Sequence, residues 1–480
     1  MSRNSEYHRC EVLVVGSGPG GSVTAWTLSS HGKDVLLIEE GAHRKLDSCR
    51  PFGIDEMLQK YRAAGLNPAL GSPTIPFVEG CCVGGGSEIN SGLYHRTPSE
   101  ALDRWSERYR VRYLSEADLQ THFEACESAL GVGLNPGKPL PAACKMKLGA
   151  DALGWKSREI PRFFKYCGSA SPDMPAHGIR QSMTETLIPR ALNSGCRLLP
   201  GVRAQFIKRQ NGRWKLSAIR AGNAVTIEAD AVFVCGGAVQ TPALLRRSGI
   251  RKNIGNSLAL HPTIKVVAVF DEEVNAICAD IPSQQVTEFS PEICMGCSIS
   301  SLPHIALAMA DHPDANLDFR QIWRRMAIYY AMIPGPTSGQ VRNVPFSADP
   351  LVRYRLGSSE LKSLANAVRY LCRLLFAAGA RQLYPSIHGF PALQNEDDLS
   401  RIPAELPRHS TNLMTIHLFS SCPMGEALDR CAVDSFGQVH GHPNLFVNDA
   451  SVLCTAPGVN PQGSIMAIAR RNALHFINAL

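Results

Sequence analysis

A glycine turn near the N-terminus narrows the choice of fold before anything else is read. "GSGPGGS" at 16–22 lies between an apolar run, Glu11–Val15, and helix-compatible sequence reaching about Ser30. Gly16, Gly18 and Gly21 give GxGxxG. Gly16 permits the tight turn, Gly18 lets a pyrophosphate approach the backbone, and Gly21 lets the helix pack closely. The helix N-terminus adds N–H donors and a positive dipole end. Gly32 stops the helix, and Val35–Ile38 reads as a second buried strand. Glu39 lies 23 residues beyond Gly16, where a carboxylate accepts hydrogen bonds from an adenosine ribose and repels a 2′-phosphate. This βαβ unit predicts a dinucleotide and leaves NAD and FAD both open.

Similar units recur. Residues 225–250 read as strand, glycine turn and helix, and "NLFVND" followed by a helix over Gln462–Ile477 closes the chain. Between them, His261 to Ala310 alternates like antiparallel strands, and Leu361–Ala378 is an amphipathic helix ended by Gly379. Ser115–Leu130, capped by Ser115, and Gln181–Asn193 also read as helices. This order predicts an α/β chain: a discontinuous Rossmann-like domain with an inserted α+β substrate domain built on an antiparallel sheet. The nucleotide-binding domain is expected over 1–50, 77–134, 181–260 and 426–480, and the substrate domain over 135–180 and 261–425. The Pro- and Gly-rich stretch 51–76 reads as a lid or excursion.

Composition trims the list of functions. The formal charge of +7 is spread along 480 residues without a basic block interleaved with aromatics, so no nucleic-acid partner is expected. Sixteen cysteines are scattered, mostly in apolar runs such as "AVFVCGG", which predicts free thiols in a reducing, cytoplasmic setting. No apolar run reaches the roughly 18 residues of a transmembrane span. Cys294 and Cys297 form an isolated CxxC, and His440 and His442 sit in a turn before Pro443; neither set predicts a metal.

Three more segments choose the cofactor. "VGGGSEINSGLYHRTP" (83–98), "HLFSSCPMG" (417–425) and "NLFVNDASVLCTAPGVNPQGSIMAIA" (444–469) together resemble the glucose–methanol–choline (GMC) oxidoreductases, and more closely their long-chain alcohol oxidase branch. "CGGAVQTPALLRRSGI…IGNSLALHP" (235–262) resembles the family's middle portion, so the likeness covers nearly the whole chain. Of the cysteine-rich segment of that branch, only Cys167 stands in 166–182.

The resemblance implies FAD, with Ser17, Gly18, Pro19, Gly20 and Glu39 around its ADP half. Gly85, Ser87 and Asn90 would lie against the flavin and pyrophosphate, and Ala204 against adenine. Asp449 and Ala450 would line the pyrophosphate and flavin edge. Pro461 and Gln462 would begin the helix aimed at the isoalloxazine ring. Glu88 and Ile89 precede Asn90 where some members attach flavin to a histidine, so noncovalent FAD is expected. The implied reaction oxidises an alcohol CH–OH group by hydride transfer to flavin N5, with His417 as base and Asn460 hydrogen-bonding the substrate oxygen. His261 is expected to link the domains, and His95 to line the cavity. The substrate is a small alcohol: sugar-like, an aminosugar, or a lipid alcohol. Oxygen, a quinone or a redox protein takes the electrons. A lyase of the same fold and a non-catalytic FAD-binding sensor are the rival readings.

Overall fold

The computed structural model describes residues 6–166, 178–276, 281–315 and 318–479; Cys167 lies outside them. Strand Glu6–Val15 is central to the first sheet, parallel to Val35–Glu39 on one side and Asn223–Val234 on the other. Arg197–Pro200 extends the sheet beyond Val35–Glu39. The central strand begins before the apolar run because Glu6–Cys10 pairs with Val225–Ala229 while half exposed. Its later residues are covered on both faces, as parallel strands require. Val12 and Val14 face Ala25, Leu28 and Phe476, whereas Leu13 and Val15 face Leu244 and Leu245.

The 12-residue strand Asn223–Val234 serves two neighbours along one edge. Its first part runs antiparallel to Arg213–Arg220, which continues the meander to Val202–Gln210. Its last three residues run parallel to Leu445–Val447. The C-terminal segment thereby returns to the N-terminal sheet, and helices Pro19–Ser30 and Gln462–Asn478 pack side by side.

The second sheet has six antiparallel strands in the order Gln382–Pro385, Thr263–Val269, Met326–Met332, Cys294–Cys297, Gln284–Val286 and Ser157–Glu159. Helix Ser358–Ala377 lays Leu361, Leu364, Val368, Leu371 and Leu375 over the face carrying Ile264, Val266 and Ala268. Helix Pro141–Ala152 covers the same core. Alternation along the strands sends Lys265, Tyr330 and Gln285 to the opposite face, toward the first sheet.

Three local expectations are modified. Within 181–193 only Leu187–Asn193 is helical. Thr184 donates from its N–H and hydroxyl to the Glu88 carboxylate, holding the preceding residues out of the helix. His261–Ala310 supplies three strands and then helix Leu302–Met309, begun by Ser301 and Pro303. The 51–76 excursion is stitched to the body: Asn67–Leu70 pairs with Ile75–Phe77 and with Leu351–Arg353, and Arg62 pairs with Glu40 at 2.8 Å.

Candidate active site

One long cleft runs from the N-terminal glycine turn to the interface between the two sheets. Gly18 faces it: a Cβ there would meet nothing within 4 Å. The neighbouring glycines are needed for packing. A Cβ on Gly20 would lie 2.2 Å from the Asn448 carbonyl oxygen, and one on Gly21 would lie 1.8 Å from that of Gly16. Gly16 itself has φ +101°, open to glycine and few others.

Glu39 lines the cleft yet already holds the turn together. One carboxylate oxygen accepts from the Ser17 N–H (3.0 Å) and hydroxyl (2.8 Å), the other from the Gly41 N–H (2.9 Å). Burial pushes its pKa up, and these donors oppose the shift. The Ser17 hydroxyl in turn accepts the Gly84 N–H at 3.0 Å, tying the first glycine turn to the second. Ser17 is fully buried and acts behind the cleft wall. So does Ser87, whose hydroxyl donates to the Gly84 carbonyl and accepts the Met183 N–H. Gly21 likewise supports the turn from behind the wall.

The other expected residues reach the cleft from four parts of the chain. Gly85 and Asn90 come from the second glycine turn and Ala204 from the meander. Asp449, Ala450, Pro461 and Gln462 come from the C-terminal return, and Gly16, Pro19 and Gly20 complete the first turn. Asp449 is a buried junction: it accepts from the Gly237 N–H (2.7 Å), Thr241 hydroxyl (2.5 Å), Ser451 N–H (2.8 Å) and Ser451 hydroxyl (2.5 Å). Arg62, Glu40, Arg203 and Arg247 also line the cleft, and no motif in the sequence marked them.

Helices Pro19–Ser30 and Gln462–Asn478 both begin at this cleft, and neither has a side-chain cap or an acid in its first turn. Their unsatisfied N–H groups and positive dipole ends suit an anionic ligand. A bare glycine cradle, two open helix ends and a carboxylate beside the first turn fit FAD. Gly463 lets the second helix approach the cleft, since a Cβ there would lie 2.2 Å from the His95 carbonyl oxygen.

His417 and Asn460 meet at one end, with His417 Nε2 and Asn460 Nδ2 3.4 Å apart. His417 is only 8% exposed. Burial, reinforced by His95, pulls its pKa down to about 3, so it is neutral at physiological pH. His261 packs against it edge-to-face with Nδ1 3.0 Å from His417 Nδ1. The Gly458 N–H donates to His261 Nε2 at 3.1 Å, so a neutral His261 carries its proton on Nδ1. That proton is donated to His417 Nδ1, leaving the resting His417 proton on Nε2. His261, expected only to join domains, therefore touches the histidine at the site's centre.

The polar network extends into the second sheet through Gln285, which the sequence did not single out. Gln285 Nε2 donates to Asn460 Oδ1 (3.3 Å) and to the Tyr330 hydroxyl (2.8 Å), while Gln285 Oε1 lies 3.0 Å from His95 Nε2. Burial lowers the His95 pKa to about 4. Cys294 and Cys297 are buried free thiols, and His440 bonds the Gly425 carbonyl oxygen. No cluster of metal-ligating side chains occurs among the described residues. No helix among them is long and apolar enough to cross a membrane.

Models of the GMC oxidoreductase N- and C-terminal regions match residues 13–263 and 337–469. An uncharacterized GMC-type oxidoreductase of Sinorhizobium fredii is 40% identical, the match covering 98% of this chain and 96% of that one. A long-chain-alcohol oxidase of Arabidopsis thaliana is 27% identical over 96% of this chain and 67% of its own. The crystal structure of pyridoxine 4-oxidase from Mesorbium loti shares the fold, with TM-score 0.75, 19% identity, and coverage of 98% of this chain and 99% of that one. The chain belongs to the GMC oxidoreductase family, and FAD is its cofactor.

Proposed function

We propose that this protein oxidises the CH–OH group of a small alcohol to an aldehyde or ketone, with His417 taking the hydroxyl proton and Asn460 holding the oxygen. The observation that carries the reading is the 3.4 Å juxtaposition of His417 Nε2 and Asn460 Nδ2 on the wall of the cofactor cleft. With His417 Nε2 unprotonated, an alcohol oxygen beside both atoms meets one proton acceptor and one fixed donor, the arrangement that general-base catalysis needs. Bound noncovalently along the glycine turns, FAD supplies the hydride acceptor. Burial keeps His417 neutral.

The His261 contact sets the order of proton movements. With Gly458 on His261 Nε2, the resting pair presents His417 Nε2–H to the substrate oxygen. His417 accepts the hydroxyl proton at Nε2 once that atom has given its resting proton to solvent and the shared proton has moved from His261 Nδ1 to His417 Nδ1; His261 Nε2 then takes a proton from solvent in place of the Gly458 contact. The exchange gives up the Gly458 hydrogen bond at a cost of about 1–3 kcal/mol. A general base contributes roughly 10²–10⁴-fold, enough to offset that cost.

The test is anaerobic titration of the purified flavoprotein with a panel of primary and secondary alcohols, followed by visible absorption. Bleaching of the flavin bands by the wild type, lost by ~10²-fold or more in His417→Gln with FAD retained, is the expected result. Near-normal bleaching by His417→Gln would remove His417 from the reaction.

A further inference from the structure

Five strands of the second sheet bring one residue each into a single cross-strand row: Lys265, Tyr330, Gly296, Gln285 and Arg158. The register pairs each with the next, so all five share the face turned toward His417 and Asn460. Gln285 anchors the row to the reactive end through Asn460 and His95. Tyr330 reaches Gln285 by crossing Gly296, where a Cβ would come within 2.6 Å of the phenol oxygen. Lys265 is the next residue along the row.

The Lys265 ammonium has no hydrogen-bond or ion-pair partner among the described residues. Its surroundings are positive or neutral: His304, on helix Leu302–Met309, is lowered to about 4 by burial and by Lys265 itself. Arg158 stands at the far end of the row, and no carboxylate occupies it. Burial alone pulls the Lys265 amine down to about 8, leaving most of it protonated at neutral pH. Its side chain nevertheless keeps partial surface exposure, as does that of Tyr330. An unpaired ammonium in such a place carries a desolvation cost that a neutral Met in the same position would avoid.

Resting on the alcohol-oxidation reading, we propose that the substrate carries an anionic carboxylate or phosphate group, and that Lys265 binds it while His417 and Asn460 hold the hydroxyl. Lys265 lies three strands from Gln285, about 14 Å at ordinary strand spacing. The lysine stem recovers several ångströms, so hydroxyl and anion sit on the order of 10 Å apart in the substrate. The positive row also disfavours an aminosugar, whose ammonium groups Lys265 repels.

Two measurements on the FAD-bound protein separate this proposal from the reading beneath it. Calorimetric titration compares octanoate and decanoate with their primary amides, which bind without being oxidised. Anaerobic bleaching compares 6-, 8-, 10- and 12-hydroxyalkanoates with their methyl esters. The expected results are at least tenfold tighter binding of the acid over the amide and a matching preference in bleaching at one chain length. Lys265→Met should abolish both preferences with flavin content unchanged, and Lys265→Arg should keep them. Acids no better than their neutral partners, or a preference that survives Lys265→Met, would overturn the proposal. Equal bleaching by acids and esters would do so while leaving alcohol oxidation standing. Selective acid binding with no bleaching by any alcohol would keep the anion site and remove the oxidation reading.

Discussion

Gly296→Ala tests whether the second sheet governs the reaction from a distance. The new methyl would lie 2.6 Å from the Tyr330 phenol oxygen, 2.7 Å from Cζ and 2.8 Å from Cε1. Ordinary contact needs about 3.4–4 Å, so the ring must retreat by roughly 1 Å. That movement breaks the 2.8 Å bond from Gln285. A buried hydrogen bond of this kind is worth about 1–1.5 kcal/mol, and its loss frees Gln285 from one of its four polar partners, His95, Asn460, Tyr330 and Cys294. Gln285 also holds Asn460 Oδ1, so the donor to the substrate oxygen loses orientation. A fivefold to tenfold fall in the rate of anaerobic flavin reduction follows, with the visible spectrum and FAD content unchanged. Tyr330→Phe removes the hydroxyl without adding volume and should reproduce most of the loss. Stopped-flow reduction by one alcohol measures all three proteins. A silent Tyr330→Phe beside a slow Gly296→Ala would show that crowding matters and the hydrogen bond does not. Full activity in both would refute the argument that Gln285 positions Asn460.

Two further outcomes are expected. Gly21→Ala places a methyl 1.8 Å from the Gly16 carbonyl oxygen, a backbone clash that no rotamer relieves, so the purified variant should lose most of its bound FAD while an A450-to-A280 ratio reports the loss. The folded chain holds His95 neutral down to about pH 4, whereas an unfolded chain protonates it below about 6.5. Its contribution to stability is complete above pH 6.5 and drains away as pH falls toward 4, by ~3 kcal/mol in all. Denaturant unfolding of His95→Gln should therefore lose less stability than the wild type between pH 7 and pH 4.5; parallel curves would show that His95 is not held neutral.

What the sequence disclosed followed from the distance over which each signal acts. The first glycine turn, its strands and Glu39 are consecutive, and their roles depend on local backbone geometry, so spacing alone located them. The C-terminal return was legible for the same reason: "NLFVND", the polar loop and the apolar helix form one continuous unit. Ser17 and Ser87 sit in the two glycine turns with their hydroxyls bonded behind the cleft wall, because neither spacing nor resemblance says which side chain of a turn faces the ligand. Ser17 turns inward to Glu39 and Gly84, and that choice is made by residues 22 and 67 positions away. The row of Lys265, Tyr330, Gly296, Gln285 and Arg158 left no trace of this kind. Each strand contributes one member, and the pairing that aligns them is set by antiparallel register across 158 to 330. Gly296 shows how such information is hidden. Within "CMGC" it reads as an interruption of a possible thiol pair, yet its missing side chain is what lets Tyr330 cross to Gln285. The cofactor end of the cleft is thus written in contiguous turns. The substrate end is written in contacts between strands that the chain brings together only on folding, so relatives can keep the first while changing the second one residue at a time.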